Sequence, residues 1–403
     1  MKLGGINIFE PQQSRPVVLF VVNADFFFLS HRLPIALAAR AAGARVVVAC
    51  GDTGKSQLIR QAGLEFVPLP LSRKGLNPLA EARTFLFLLR LYRALRPDVI
   101  HHVSIKPVLY GSIAARLSRA GAVVNAVSGL GFVFSTARLA RVLRPFVERA
   151  YRAAFQHSPS RAIFQNPSDH RRFVDAGLVS PKRTALILGS GVDCARFHDR
   201  PEPDGPLTVV LPARMLWAKG VGEFVAAARH MRARRPGVRW ALVGMVDTDN
   251  PDAVPEREIQ GWVDDGVVEW WGHRDEMPEV LARAHVVVLP TYSEGLPKVL
   301  LEAAAAARPI VTTDVPGCRE VVRHGVNGLL VPARDSIALA SAVETLLDAP
   351  ELRRRFGEAG RRIAEAEFSE QLVVRQTLGI YRELLGERWP ARPAASPAHA
   401  VAV

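Results

Sequence analysis

Two cations and two carboxylates stand at spacings that suit a single ligand. Arg214 and Lys219 lie in Arg214-Met-Leu-Trp-Ala-Lys219-Gly220, and Glu294 and Glu302 close the two ends of Glu294-Gly-Leu-Pro-Lys-Val-Leu-Leu-Glu302. A guanidinium and an ammonium suit a diphosphate, because bonds between ionised partners are short and strong. Carboxylates accept hydrogen bonds from sugar hydroxyls. A ligand with both parts is a sugar nucleotide. Taken singly, Arg214 or Glu302 would be an ordinary surface ion pair of little energetic weight. The sugar-nucleotide reading therefore needs a fold that brings position 214 beside position 294.

The sequence supplies one. Short β-branched runs alternate with amphipathic stretches, first at 17–22, 45–49, 65–69, 98–101, 122–126, 162–165 and 184–188. The pattern restarts at 207–211, 238–243, 267–271, 285–289, 309–312 and 328–331. Apolar runs bounded by Gly, Pro and Asn, with helical patterns between them, predict parallel sheets covered on both faces. In such a sheet the first and fourth strands of the second half are neighbours at the point where the strand order reverses, and ligands bind beyond their carboxyl ends. Helices opening near Lys219 and Pro297 would aim N–H dipoles into that crevice. Gly295, Leu296 and Pro297 lead into the second of these helices and complete the donor-side set. Backbone groups around Gly272 to Arg274 are expected to read the base.

The predicted fold class is α/β, with two doubly wound, Rossmann-like domains in tandem. They are expected at 1–195 and 196–386, joined through 193–206, where Pro201, Pro203 and Pro206 cluster. The last helix, about 369–386, is expected to pack back on the first domain, and 387–403, rich in Pro and Ala, to be a disordered tail. A chain of 403 residues, 49% hydrophobic and 23% charged, is not disordered throughout. Cys50, Cys194 and Cys318 are far apart, which suits free thiols in a reducing compartment. The first 20 residues lack the pattern of a signal peptide, and the longest uncharged stretch, 120–137, holds too many polar groups for a membrane span.

The charge is uneven. Residues 1–195 hold 26 Lys and Arg against 10 Asp and Glu, a net of +16, and residues 196–403 hold 26 against 29, a net of −3. A basic first half points to a polyanionic partner, nucleic acid or an anionic membrane surface, or to no more than Arg-rich solvated helices. The segment 136–152 adds a basic amphipathic pattern, with Leu139, Val142, Leu143, Phe146 and Val147 at helical spacing. The alternative is a core-facing helix with an Arg-rich outer face.

Two familiar motifs fail. Ala49-Cys-Gly-Asp-Thr-Gly-Lys-Ser56 almost spells a phosphate-cradling NTPase loop. It begins with Ala in place of Gly, and it follows the second strand of its domain, so an ordinary helix N-terminus is the better reading. Neither half shows a GxGxxG after its first strand, which argues against a nicotinamide or flavin site.

Arg214 to Gly220, Glu294 to Glu302, Gly191-Val192-Asp193 with Phe197, and Pro316-Gly317-Cys318-Arg319-Glu320 with Gly325 and Asn327-Gly328 resemble family 4 of the retaining glycosyltransferases, which have the GT-B fold. The resemblance covers about residues 15–385. It implies that two Rossmann-like domains face a central cleft, that Arg214 and Lys219 bind the donor diphosphate, that Glu294 contacts the transferred sugar, and that Glu302 holds the ribose diol. Ser190 departs from the family, where many members carry Asn.

The first half resembles a bacterial subgroup that extends polyprenyl-diphosphate-linked sugars, often with an N-acetylhexosamine from a UDP donor. The matching stretches are Asn23-Ala-Asp-Phe-Phe-Phe-Leu-Ser-His-Arg-Leu-Pro34, His102-Val-Ser-Ile-Lys-Pro107 and Ser128-Gly-Leu-Gly-Phe132. Asn23 and Asp25 at the end of one strand, and His102 and Lys106 after another, are the acceptor-side candidates. For the three phenylalanines the alternative is core packing, and for His102 a hydrogen-bonded structural role.

No Asp-x-Asp is read at a strand end facing a cleft, so no metal and no cofactor are expected, with Arg214, Lys219 and helix dipoles opposing the leaving charge. The resemblance implies a front-face route without a protein nucleophile. The expected partners are a UDP-sugar, a polyprenyl-diphosphate-linked sugar and an anionic membrane surface, without nucleic acid, on the cytoplasmic face of the plasma membrane. The competing readings are a GT-B sugar-nucleotide epimerase and a nucleic-acid-binding protein or NTPase.

Overall fold

The computed structural model describes residues 2–3, 6–7, 15–71, 77–129, 138–248 and 250–390, with backbone alone for 2–3, 6–7 and 138–143. The chain divides into two compact units, Met1–Ser190 with Val373–Val403, and Gly191–Leu372.

In the first unit, β1 (Lys2–Leu3) and β2 (Ile6–Asn7) form a small antiparallel pair. The main sheet comprises β3 (Val17–Ala24), β4 (Arg45–Gly51), β5 (Glu65–Pro68), β6 (Val99–Val103), β7 (Ala122–Val127), β8 (Ser160–Phe164) and β9 (Thr184–Leu186). Their order is β5-β4-β3-β6-β7-β8-β9, and every pairing is parallel. The strands are apolar along nearly their whole length because helices cover both faces. Val18, Phe20 and Val22 face one core with Ile35, Ala36 and Ala39, whereas Leu19 and Val21 face another with Leu88, Leu91 and Tyr92. Local sequence starts the helices cleanly. Asn77 accepts the N–H groups of Leu79 and Ala80 ahead of helix Pro78–Leu95, and Asn166 accepts that of Asp169 ahead of Pro167–Asp175.

The second unit holds β10 (Thr208–Pro212), β11 (Arg239–Val243), β12 (Glu269–Trp270), β13 (Val286–Leu289), β14 (Ile310–Thr313) and β15 (Gly328–Val331). All are parallel, in the order β12-β11-β10-β13-β14-β15. β10 and β13 therefore lie side by side, with Val209 opposite Val286 and Val210 opposite Val287, where the order reverses. Phe224, Met231, Trp240, Leu346 and Phe356 fill the core beneath. The strands fall within two residues of their expected bounds at each end.

Three boundaries differ from the expectation. The first unit ends at Ser190, before the proline cluster. Segment 197–202 is bound to the second unit, since Arg353 grips Glu202 at 2.7 and 2.9 Å, Arg308 reaches the carbonyl of Pro201 at 3.0 Å, and Arg361 that of Phe197. Arginine forks onto carboxylates and carbonyls turn a proline-rich connector into part of a domain surface. The last helix, Glu370–Leu385, places Val373, Ile380, Tyr381 and Leu385 in the core of the first unit. The order continues past 387: Gly386–Arg388 forms a 3₁₀ turn and Trp389 is buried against Tyr381. The rest of the expected tail, 391–403, lies outside the described residues, as do positions 130–132 of the Ser128 motif. Among the described residues no helix is long and apolar enough to cross a membrane.

Candidate functional site

In the second unit, the turn after β10 and the loop after β13 meet. Trp217–Lys219 makes a single 3₁₀ turn, and Gly220 follows with φ of 75°. A Cβ on Gly220 would lie 2.1 Å from the carbonyl oxygen of Pro290, so only glycine permits both this backbone angle and this approach. The carbonyl of Ala218 then accepts the N–H of Tyr292 at 2.9 Å and the hydroxyl of Thr291 at 3.0 Å. These contacts bring Lys219 to Glu294, and the ammonium donates to carboxylate oxygen Oε1. The same oxygen also lies 3.0 Å from the Thr291 hydroxyl, whose single proton is shared between it and the Ala218 carbonyl. Both side chains are mostly buried, at 21% and 12% exposure, so their attraction is screened less than that of a surface pair.

Arg214 stands two residues beyond β10 with its side chain 44% exposed, and its Nη1 donates to Asp247 Oδ2 at 2.7 Å. Asp247 belongs to the loop after β11, which runs along the 214–218 turn. Met215 N–H bonds to Met245, Trp217 N–H to the carbonyl of Asp252, and Ala218 N–H to the Asp252 carboxylate at 2.8 Å. Three successive loops of one sheet thus hold Arg214, Lys219 and Glu294 together.

The other residues expected to bind the donor lie on neighbouring segments of the same unit. Gly295, Leu296 and Pro297 are buried, and Pro297 stands at the N-cap of helix Lys298–Ala305. Glu302 lies on that helix, half-buried, and burial pushes its carboxyl above the ordinary range although Lys298 and Arg196 pull it down. Gly317 has φ of 89°, and a Cβ there would sit 2.8 Å from the carbonyl oxygen of Glu294, so the Pro316–Gly317 turn fixes the backbone beneath the carboxylate. Burial pushes the thiol of neighbouring Cys318 up to about 12, with Glu294 adding to the effect, which keeps it neutral. Gly272, with φ of 67° and open space where a Cβ would be, and exposed Arg274 follow β12 two strands from β10.

The acceptor-side candidates behave differently. His102 is fully buried: Nδ1 meets Asn125 Oδ1 at 2.8 Å, Nε2 meets the Tyr92 hydroxyl at 2.9 Å, and burial drives its pKa down to about 3. Both ring nitrogens are engaged in the core, so His102 cannot reach an acceptor, and its structural role replaces the expected one. Asp25 is also fully buried. Its carboxylate accepts the N–H groups of Phe26 at 2.7 Å and of Thr53 and Lys55 at 2.8 Å, and the Thr53 hydroxyl. The N–H groups of the NTPase-like loop are therefore taken by a protein carboxylate where an NTPase would place a phosphate, and Asp52 takes that of Gly54 and the Ser56 hydroxyl as well. Asp25 holds this loop instead of facing an acceptor. Lys106 pairs with Glu81 at 2.5 Å, both side chains largely buried. Asn23, next to last in β3, is half-buried, and its Oδ1 is buried without a hydrogen-bond partner. Phe28 packs in the core, and Phe27 is partly buried there, stacking on His31 at 4.1 Å.

Residues 206–349 match the family of group 1 glycosyl transferases, and residues 17–158 match the glycosyl transferase 4-like family. Together they account for well over half of the chain. It belongs to the family 4 glycosyltransferases. This glycosyltransferase is 26% identical over 380 residues to the N,N'-diacetylbacillosaminyl-diphospho-undecaprenol alpha-1,3-N-acetylgalactosaminyltransferase of Campylobacter jejuni, covering 91% of this chain and 98% of that protein. It is 27% identical to the putative glycosyltransferase EpsD of Bacillus subtilis, covering 90% and 96%. Its fold matches HepE of Anabaena, solved with UDP and glucose, at a TM-score of 0.74 and 20% identity over 91% of this chain and 99% of that one. Sucrose-phosphate synthase from Thermosynechococcus elongatus matches at 0.78 and 21% identity, over 92% and 99%. The fold is GT-B, and the enzyme is a retaining hexosyltransferase.

Sequence reasoning missed three residues of the glycosyltransferase's site: Thr291, Asp247 and Asp252. The signal for the last two was an acidic loop, Asp247-Thr-Asp-Asn-Pro-Asp252, directly after the second strand of the domain. Thr291 carried none, since a lone threonine after a strand is ordinary. Much of the family signature proves architectural. Asn327 is buried and accepts the N–H of Arg323 at 2.7 Å, Glu320 accepts that of Gly317 at 2.6 Å, and Asp193 caps Ala195 at 2.9 Å.

Proposed function

We propose that this enzyme transfers an N-acetylhexosamine from a UDP-sugar to a polyprenyl-diphosphate-linked sugar in surface glycan synthesis. The observation that carries the reading is the convergence of Arg214, Lys219 and Glu294 at the carboxyl ends of β10 and β13. The near full-length likeness to an N-acetylgalactosaminyltransferase acting on a diphospho-undecaprenol-linked sugar supports the acceptor class.

In this reading Arg214 and Lys219 hold the donor diphosphate, Glu294 accepts from hydroxyls of the transferred sugar, and Glu302 holds the ribose diol. The bond from the anomeric carbon to the diphosphate breaks, the acceptor oxygen bonds to the same face, and the leaving phosphate takes the acceptor's proton. Negative charge grows on the departing diphosphate, where preorganised cations lower the barrier most. Metal independence is part of the proposal. It is supported by these two cations, which stand where the leaving charge would grow.

The acceptor's polyprenyl chain stays in the bilayer, so the basic first half is assigned to an anionic membrane surface on the cytoplasmic side, each nearby Lys or Arg contributing about 1 kcal/mol. Helix Arg138–Ala154 buries Tyr151 and Ala154 in the core and leaves Phe146 67% exposed. Flotation of the whole enzyme with anionic vesicles is expected at low salt and to weaken at high salt. No binding at low salt would overturn this assignment.

The test of the whole reading is release of UDP from labelled UDP-sugars, with and without a polyprenyl-diphosphate-linked sugar. Transfer that needs the acceptor is the expected result. Conversion of UDP-sugar with no acceptor would instead identify an epimerase.

A further inference from the structure

Lys219 gives one of its three N–H groups to Glu294, so a diphosphate bound at Lys219 competes with this carboxylate for the ammonium charge. Glu294 is the fixed member. Its carboxylate shares the Thr291 hydroxyl proton with the carbonyl of Ala218, and the Gly317 turn packs against the Glu294 backbone. Lys219, with four rotatable bonds in its stem, is the member that can turn away.

We propose that this ion pair discriminates the sugar donor from the spent nucleotide, an inference that rests on the donor-site assignment above. When a UDP-sugar binds, Lys219 swings to the phosphates and sugar hydroxyls donate to the Glu294 oxygen it leaves, so both charged groups stay satisfied. After transfer the nucleoside diphosphate carries no sugar. Glu294 then faces the terminal phosphate with no hydroxyl in the place of the ammonium, and the two anions repel each other. Lys219 is drawn back to the carboxylate and the diphosphate keeps only Arg214 of its two cations. Glu294 thus favours the intact donor and speeds release of the product.

The measurement is titration calorimetry with UDP and with UDP-N-acetylglucosamine, without acceptor, on the wild type, Glu294→Gln and Glu294→Ala. Removing the carboxylate charge is expected to tighten UDP binding about tenfold, as for a like charge removed at close range in a partly buried site. The UDP-sugar should gain much less or lose affinity, because its hydroxyls lose an acceptor. Glu294→Asp, which keeps the charge, should bind UDP like the wild type. Wild-type binding of UDP with no tightening in either the Gln or the Ala variant overturns the discrimination alone. Failure of the wild type to bind any nucleoside diphosphate overturns the donor-site assignment with it.

Discussion

The guanidinium of Arg214 rests on the carboxylate of Asp247 at 2.7 Å while almost half of its own surface stays open. Asp247 is 8% exposed, so a buried acceptor orients a half-exposed guanidinium. An arginine side chain left free would have to lose rotamer entropy on binding a diphosphate; held this way, it has already lost part of it. Replacing Asp247 with Ala should raise the KM for UDP-sugar about tenfold with a smaller change in kcat. Asp247→Asn, which still accepts a bond, should fall between. Equal kinetics in wild type and Asp247→Ala would refute the positioning role.

Lys219→Ala should fold normally and lose transfer by about a hundredfold or more, since one preorganised cation opposite the leaving charge contributes a few kcal/mol to the barrier. Glu302→Gln should act mainly on donor KM. Steady-state rates with UDP-sugar check both, and near-normal kcat in Lys219→Ala would remove the diphosphate assignment.

Activity should persist in EDTA. Complete loss on chelation, restored by Mn²⁺ or Mg²⁺, would contradict the role given to Arg214 and Lys219.

His102 makes the fold acid-sensitive. Its folded pKa of about 3 lies below the ordinary 6.5, so between these values the unfolded chain binds a proton that the native core refuses. Stability is therefore whole above pH 6.5 and falls as the pH drops, by up to about 1.4 kcal/mol per unit from this residue. His101, also driven well down by burial, acts in the same direction. Urea unfolding at pH 7 and pH 5 should show the loss, and His102→Gln should make it smaller. An unchanged slope in that variant would show that His102 does not carry it.

Asp25→Ala should destabilise without touching the transfer chemistry directly. Three backbone N–H groups and one hydroxyl lose their acceptor, at a cost of about 2–4 kcal/mol. Denaturant titration measures it, and a loss under about 0.5 kcal/mol would mean that water replaces the carboxylate without penalty.

The sheet grammar was legible because a parallel strand covered on both faces must be apolar throughout, and a run such as Val17 to Val22 can hardly be anything else. The meeting of Arg214, Lys219 and Glu294 was legible for a related reason. Once β10 and β13 are known to be first and fourth in a doubly wound sheet, residues just past their ends must meet, and Arg214, Lys219 and Glu294 do. The surroundings of Asp25 and His102 were not legible. Asp25 and His102 have the residue types of an active site and follow or end strands, but sequence does not say which polar groups find partners inside the protein.

What sequence alone determined, then, is the two-unit α/β order and the ends of the strands where a ligand can bind, because hydrophobic periodicity and chain direction are local properties. Tertiary structure decided the employment of each polar side chain. Asp25 was captured by Thr53 and Lys55, His102 by Tyr92 and Asn125, and Glu202 by Arg353, each across stretches of chain whose meeting depends on packing. A buried carboxylate or imidazole takes whatever donor or acceptor the fold delivers, since leaving it unpaired costs more than any local preference can offset.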